Sequence, residues 1–275
     1  MYSPPTTPAD EHRALAAQQE ASAALGVNVE GRRLWGYQGR TLGQKAHHPD
    51  HGACWLRLIS APAEQAKGKL WEGTKDAAAA FAGVCKPALY GIHDGTERDG
   101  IAYRAELTAF IDSPTCAPEP VLTSELELPE TWWKSLHTDL ETIAATPTER
   151  IAVRRQWIDR ALPQHAGVPA PAEIDWATAH GDCHFANLTT SGPTLLDFEG
   201  FGLAPVGYDP ALLYAYSLLA PHTAARIRTE FPILDSPAGH TALLVVAADL
   251  LQSASRGDHP ELTEPLRTLV KSVVP

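Results

Sequence analysis

One stretch of the chain holds three side chains whose types and spacing suit phosphate chemistry; it spans residues 180 to 202 and reads HGDCHFANLTTSGPTLLDFEGFG. Asp182 is followed five positions later by Asn187, and Asp197 lies ten positions beyond that. Mg²⁺ prefers carboxylate, amide and phosphate oxygens over nitrogen or sulfur. We therefore expect Asn187 and Asp197 to hold Mg²⁺ while Asp182 accepts the proton of an attacking hydroxyl, the division of roles that phosphoryl transfer requires.

Three sequence blocks follow one another in this region: H-G-D-x-H-x-x-N, then D-F-E, then G-Y-D-P-A-L-L. In this order and spacing they resemble the aminoglycoside phosphotransferase family, which has the protein-kinase-like fold. The specific resemblance covers about residues 176 to 219, and the rest of the chain matches only in the order of its elements. The resemblance implies an enzyme that moves the γ-phosphoryl group of ATP or GTP to a hydroxyl of a small polar molecule, with Mg²⁺.

The resemblance also gives roles to four neighbouring residues. His180 should pack and hydrogen-bond so that it holds the catalytic loop. Asp209 should brace that loop from below through backbone hydrogen bonds, which is compatible with a second role as the cap of a helix. His184 is expected either to point toward the acceptor or phosphate or to shape the loop. Glu199 is expected either to assist binding of the metal or of a substrate amine or to face solvent, and the sequence leaves both choices open.

The N-terminal part departs from the family pattern. The strand ACWLRLIS should supply the lysine that contacts the α- and β-phosphates, but Arg57 stands in its place. Arginine binds phosphate bidentately, with a reach and donor geometry that differ from those of lysine. Its predicted carboxylate partner is Glu72 in the following helix, with Glu64 as the second choice. No G-x-G-x-x-G loop is present, and we expect Thr108 and Phe110 to bind the nucleotide base through backbone groups.

The elements that position these residues are readable from periodicity and turn residues. A helix capped by Asp10 and ended by Gly26 is expected first, followed by a β-meander. Its strands lie in RRLWGYQG, RTLGQKA and ACWLRLIS, with HHPDHG as a turn. A helix from Pro62 to about Gly83 and two more strands, in ALYGIHD and IAYRAELTAFI, complete the predicted first lobe.

The second lobe is predicted to be mainly helical. The proline-rich segment 112–120 is expected to be a linker, because proline fits neither helix interiors nor central strands. Beyond it ETWWKSLHTDLETIAAT and TERIAVRRQWIDRAL have helical spacing, and four more helices are expected near residues 210–219, 224–231, 238–253 and 261–270. The predicted fold is therefore α+β and two-lobed, with a small antiparallel sheet lobe and a larger helical lobe. Residues 1–111, of which the first ten are loose, form the nucleotide-binding lobe, and residues 121–275 form the catalytic and acceptor-binding lobe.

The amino-acid composition limits the classes of molecule that the protein is expected to bind. The net charge of −11 and the lack of a Lys/Arg cluster argue against nucleic acid as a partner. An acidic surface either concentrates a cationic acceptor or only maintains solubility.

The longest apolar run, residues 243–251, is too short to span a bilayer, and the N-terminus lacks the pattern of a signal peptide. With four scattered cysteines, we expect a cytoplasmic protein that acts on a small molecule. The oligomeric state is not readable from the sequence.

Several functions remain open at this point. The leading acceptor class is an aminoglycoside or a related amino-sugar or nucleoside antibiotic, which would make the protein a resistance enzyme. A metabolite kinase acting on choline, homoserine, a sugar or a fructosamine is the alternative within the same chemistry. A catalytically weak regulatory protein with a kinase fold would explain Arg57 and the missing glycine loop. A metal-dependent hydrolase would use the H-x-D-x-H cluster, with further ligands from the histidines and aspartate of HHPDHG.

Overall fold

The computed structural model describes residues 3–36 and 38–274. The chain divides into two compact units. The first runs to Ala79 and continues from Pro87 to Asp112, and the second comprises Ala80–Lys86 and the chain from Ser113 onward. The first unit is built on an antiparallel sheet and the second is mainly helical, so the predicted α+β class is confirmed.

The sheet of the first unit contains the strands predicted from the sequence. They are β1 (Asn28–Trp35), β2 (Thr41–His48), β3 (Gly52–Pro62), β4 (Leu89–Asp94) and β5 (Ile101–Ala109), in the order β1-β2-β3-β5-β4. Every neighbouring pair is antiparallel. The turn predicted from HHPDHG closes the β2–β3 hairpin, because His48 and Gly52 form the last pair of that ladder.

One face of this sheet packs against α1 (Pro8–Ala24). The helix begins earlier than predicted: Thr7 is its N-cap, and the Thr7 hydroxyl accepts the N–H of Asp10 at 3.1 Å. Asp10, predicted as the cap, therefore lies in the first turn, and residues 8–10 are helical rather than loose. Burial of apolar surface between helix and sheet stabilises this unit; the buried cluster is Ala14, Ala17, Ala21, Val27, Leu42, Ala46, Cys54, Leu56, Leu58, Tyr103, Ala105 and Leu107.

The helix between β3 and β4 is shorter than predicted. A single 3-10 turn at Ala63–Gln65 follows β3, and α2 spans only Lys69–Ala80. Gly68 separates them, because its φ of +75° is left-handed and cannot continue a right-handed helix. The carbonyl of Gly68 accepts the N–H groups of Trp71 and Glu72, which starts the new helix.

The second unit surrounds a two-stranded ladder with helices. Its elements are α3 (Glu130–Ala145), α4 (Arg155–Ala161), β6 (Trp176–Ala179), β7 (Gly202–Pro205), α5 (Tyr208–Tyr216), α6 (Pro221–Glu230), α7 (Pro237–Ala254) and α8 (Thr263–Val273). The four helices predicted after Asp197 are present, each with shifted ends. Within α7, the apolar run ALLVVAADLL is buried on most sides against α5 and α8, as expected of a helix inside a core.

One predicted helix begins later than expected. The pattern TERIAVRRQWIDRAL predicted a helix from residue 148, but α4 begins at Arg155. The preceding residues pair with β7 instead: the Leu203 carbonyl accepts the N–H groups of Ala152 and Val153 at 3.0 Å each, and Leu203 N–H donates to Arg150. Pairing with a distant strand therefore outweighs local helical preference here.

Candidate active site

The loop after β6 is held by a carboxylate from α5. Asp209 lies in the first turn of α5, is 5% exposed, and accepts the backbone N–H groups of His180 at 2.7 Å and Gly181 at 2.9 Å. Burial raises the pKa of Asp209, and these two donors act in the opposite direction. Gly181 has a φ of +86°, and a Cβ there would lie 2.7 Å from the Gly200 carbonyl oxygen. The loop thus requires glycine at this point and a fixed acceptor beneath it.

His180 joins the loop to the segment that leads to Asp197. Its Nε2–H donates to the Leu196 carbonyl at 2.9 Å, and its Nδ1 accepts the N–H of Asp182 at 3.3 Å, which assigns the neutral ring with its proton on Nε2. The ring is 1% exposed and packs edge-on against Phe198 at 4.5 Å between centroids. His180 is therefore part of the support of the loop.

Asp182 and Asn187 are joined directly. The Asn187 amide nitrogen donates to both the backbone carbonyl and the side-chain Oδ2 of Asp182, at 3.0 Å each. With its nitrogen turned towards Asp182, the Asn187 side chain presents its oxygen elsewhere, as a metal ligand requires. His184 is the third member of this group, with Nε2 3.4 Å from Asp182 Oδ1 and 3.3 Å from Asn187 Nδ2. Burial acts to raise the pKa of Asp182, but the neighbouring side chains of His184 and Asn187 hold that pKa below its ordinary value.

Asp197 sits in a tight turn. Before it, Leu195 forms an isolated bridge with Leu188. Leu196 N–H donates to the carbonyl of Asn187 at 2.9 Å, which ties the segment of Asp197 to that of the other predicted metal ligand. Asp197 has φ +61° and ψ +66°, a left-handed conformation that aspartate tolerates better than most residues and that is concentrated at functional sites.

Arg150 holds the turn that follows Asp197, a role that no sequence pattern predicted. Its guanidinium donates to the carbonyls of Phe201 and Glu199 at 3.2 Å each and lies 4.3 Å from the centre of the Phe201 ring. The backbone at Glu199 is thereby fixed, while its side chain is half-buried. Arg150 is far away in the sequence, so only the fold reveals this contact.

In the first unit, Arg57 lies beside a carboxylate that was not predicted as its partner. Arg57 of β3 and Glu106 of β5 are directly opposite in the ladder, and Nη1 lies 3.9 Å from Oε2. Glu106 is 2% exposed, whereas Glu72, the predicted partner, is exposed on α2. The pairing depends on strand register, which the spacing from Arg57 to the next helix does not encode.

The predicted base-binding residues share a sheet face with Arg57. Thr108 lies opposite Trp55 in the β3–β5 ladder, and Trp55 lies opposite Lys45 in the β2–β3 ladder. Residues opposite one another in a ladder project to the same face, and alternate residues of a strand do the same. The Lys45 ammonium stands 4.7 Å from the centre of the Phe110 ring. This face therefore carries two cations beside two aromatic rings, and Lys45 is a candidate that sequence reasoning missed.

The histidine clusters are not arranged as a nitrogen-rich metal site. His180 and His184 use their Nε2 atoms within the loop, as described above. The hairpin histidines pack against each other at a tilt, with ring centres of His48 and His51 4.7 Å apart, and the Asp50 N–H donates to His48 Nδ1. Across the described ranges, no group of three or more His, Cys, Asp or Glu side chains is placed to hold a metal ion. The oxygen ligands predicted for Mg²⁺, an amide and a carboxylate, fit that ion together with phosphate.

The sequence matches no family model and no curated protein, but the structure resembles solved ones. A thermostable mutant of aminoglycoside phosphotransferase APH(4)-Ia, in complex with ADP and hygromycin B, is 14% identical, covers 94% of this chain and 98% of its own, and has a TM-score of 0.62. Macrolide 2'-phosphotransferase MphH from Brachybacterium faecium is 14% identical over 91% of this chain and 96% of its own, with a TM-score of 0.54. A choline/ethanolamine kinase family protein from Mesorhizobium loti is 16% identical over 94% of each chain, with a TM-score of 0.53.

These likenesses establish the fold. The two-lobed protein-kinase-like fold predicted from the sequence is confirmed, and its solved examples include phosphotransferases and kinases of small molecules. Among the described residues, no helix is long and apolar enough to cross a membrane.

Proposed function

We propose that this protein transfers the γ-phosphoryl group of ATP or GTP to a hydroxyl group of a small polar molecule, with Mg²⁺. The observation that carries the proposal is the pair of 3.0 Å hydrogen bonds from the Asn187 amide to Asp182. They hold a carboxylate beside an amide oxygen on a loop that Asp209 fixes from within α5. A proton acceptor next to a hard oxygen ligand is the arrangement that this chemistry needs.

Asp182 is the general base in this proposal. One of its carboxylate oxygens accepts the proton of the acceptor hydroxyl as that oxygen forms a bond to the γ-phosphorus, and the bond from phosphorus to the β-phosphate oxygen breaks. Asn187 and Asp197 would hold Mg²⁺, which neutralises phosphate charge when bound. Such a reaction needs no covalent enzyme intermediate, because positioning and charge neutralisation lower the barrier.

The sheet face of the first unit is the proposed nucleotide site. Arg57, fixed opposite Glu106, would bind phosphate oxygens with the geometry of a planar guanidinium. Thr108 and Phe110 would contact the base at the end of β5. Lys45 on the same face adds a second cation for the phosphates.

The proposed acceptor is an aminoglycoside or a related amino-sugar or nucleoside antibiotic. Support comes from the structural likeness to a phosphotransferase solved with hygromycin B, and from the net charge of −11, which favours a cationic molecule. The likeness to a choline/ethanolamine kinase family protein supports a metabolite kinase as the second candidate. Both candidates share the same chemistry and differ in the acceptor alone.

A panel of hydroxyl-bearing acceptors tests the proposal, scored by transfer of labelled γ-phosphate from ATP and from GTP in the presence of Mg²⁺. Aminoglycosides, nucleoside antibiotics, choline and sugars should each be included, and we expect transfer to one class. Nucleotide binding that does not depend on Mg²⁺ would contradict the proposed metal site. Silence over the whole panel, with Mg²⁺-dependent nucleotide binding intact, would favour a regulatory kinase-fold protein over an enzyme.

A further inference from the structure

We infer that His184 is a positioning residue for Asp182: its Nε2–H group donates to Asp182 Oδ1 and fixes the carboxylate in one orientation together with Asn187. This inference rests on the proposed function, in which Asp182 is the base. Three observations support it: the geometry of the Asp182, His184 and Asn187 side chains, the number of N–H groups available to them, and the burial of the imidazole ring.

The two carboxylate oxygens of Asp182 have different neighbours. Oδ2 receives a hydrogen bond from Asn187 Nδ2 at 3.0 Å, and Oδ1 lies 3.4 Å from His184 Nε2. A neighbour on each oxygen restricts rotation of the carboxylate. The side chain of Asp182 is nevertheless 47% exposed, so an acceptor hydroxyl can reach it.

The proton on the His184 ring follows from an inventory of donors. The Asn187 amide has two N–H groups, and both are used on Asp182, one on its backbone carbonyl and one on Oδ2. His184 Nε2 also lies 3.3 Å from Asn187 Nδ2, farther than either oxygen of Asp182. Because the two N–H groups of the amide serve the two shorter contacts, we assign a proton to Nε2, which then faces Oδ1 at 3.4 Å.

The other ring nitrogen agrees with this assignment. His184 Nδ1 is buried and has no hydrogen-bond partner among the described residues. A buried N–H without an acceptor is rarer in proteins than a bare acceptor. The neutral ring with its proton on Nε2 leaves only the bare lone pair of Nδ1 buried.

The imidazole ring of His184 is buried and held in place by protein contacts. His184 is 4% exposed, and Tyr216 of α5 packs edge-on against it, with ring centres 5.3 Å apart and planes at 79°. The same helix carries Asp209, which fixes the start of the loop. One helix thus supports both the backbone of the loop and the residue that orients its carboxylate.

Three substitutions at His184 separate a donor role from a space-filling role. Glutamine can place an amide nitrogen near the position of Nε2, asparagine can reach only the position of Nδ1, and phenylalanine keeps a ring without a donor. We expect His184→Phe and His184→Asn to lower kcat by about 10- to 100-fold, since a base displaced by about 1 Å costs this much. KM for Mg²⁺-ATP should change less than twofold, and His184→Gln should recover most of kcat. His222→Gln, at an exposed histidine, is the control.

The outcomes separate the inference from the proposed function. If wild-type protein transfers phosphate and His184→Phe keeps its kcat, or His184→Gln is no better than His184→Phe, the inference is overturned. If wild-type protein transfers phosphate to no acceptor, the proposed function fails. A double-mutant cycle on thermal unfolding then tests the contact between His184 and Asp182 independently of activity. In that cycle the loss of Tm in His184→Phe/Asp182→Ala should be smaller than the sum of the single losses; additive losses would overturn the inference.

Discussion

Arg57 and Glu106 stand directly opposite each other in the β3–β5 ladder, with Nη1 and Oε2 3.9 Å apart and the carboxylate almost fully buried. Leaving a buried charge without its partner is costly. The register of β3 and β5 therefore places a buried carboxylate beside the guanidinium that we propose as a phosphate ligand.

Replacement of Glu106 should destabilise the fold. Glu106→Gln removes the charge and keeps the shape, so we expect a loss of about 1–3 kcal/mol in the free energy of unfolding. Glu72→Gln, at an exposed position on α2, should change it by less than about 0.5 kcal/mol. Urea denaturation of both variants measures the difference, and equal effects would show that the buried pair contributes nothing specific.

Replacement of Arg57 should weaken nucleotide use. Loss of a charge-assisted phosphate contact costs about 1.5–3 kcal/mol, so Arg57→Ala should raise KM for ATP and lower turnover by a corresponding factor. Arg57→Lys should recover part of this loss because the cation remains. Arg267→Ala, a surface change on α8, is the control. Wild-type kinetics in Arg57→Ala would place the phosphate site elsewhere.

Asp209 should matter for both the loop and the stability of the second unit. Asp209→Ala leaves the N–H groups of His180 and Gly181 without their acceptor, which should cost about 2–5 kcal/mol. Asp209→Asn retains one acceptor oxygen and should cost less. Hydrogen exchange at these two amides, measured beside denaturant unfolding, should accelerate in both variants; unchanged protection would mean that another group holds the loop.

Glu20 should make the stability of the first unit depend on acid pH. The N–H and hydroxyl of Thr96 donate to it at 2.9 and 3.0 Å, and these bonds, with Arg98 and His93 nearby, hold the pKa of Glu20 below its ordinary value of 4.5. A carboxylate with a lowered folded pKa stabilises the protein above its unfolded pKa, and that contribution is lost as pH falls through the folded pKa. Wild type should therefore exceed Glu20→Gln in Tm at pH 7, and the difference should shrink as the pH falls below 4.5. A constant difference would contradict the assignment.

The sequence predicted best where the relevant residues are neighbours in the chain. Asp182, Asn187 and Asp197 lie in one segment, and the structure brings Asp182 and Asn187 into direct contact, while the strands of the first unit followed from alternation and turns. Contacts between distant segments were not readable. Glu106 meets Arg57 through strand register, and Arg150 reaches the turn after Asp197 from a segment that was predicted to be helical.

Local sequence patterns also predicted the start of two helices wrongly. The helix predicted from Pro62 contained Gly68, whose left-handed backbone divides it into a 3-10 turn and α2. The helix predicted from residue 148 gave way to backbone pairing with Leu203. In both cases the pattern predicted a helix correctly. Where the helix starts was decided by the backbone conformation of Gly68 in one case and by pairing with Leu203 in the other, and periodicity predicts neither.

The most direct test of the account is the turnover of Asp182→Asn on an acceptor that the wild-type protein phosphorylates. We expect kcat to fall by about 10²- to 10⁴-fold, the usual contribution of a general base, with Mg²⁺-dependent binding of ATP retained. Asp159→Asn, an exposed change on α4, should retain full turnover. If Asp182→Asn instead transfers phosphate at the wild-type rate, Asp182 is not the base and the proposed mechanism is contradicted.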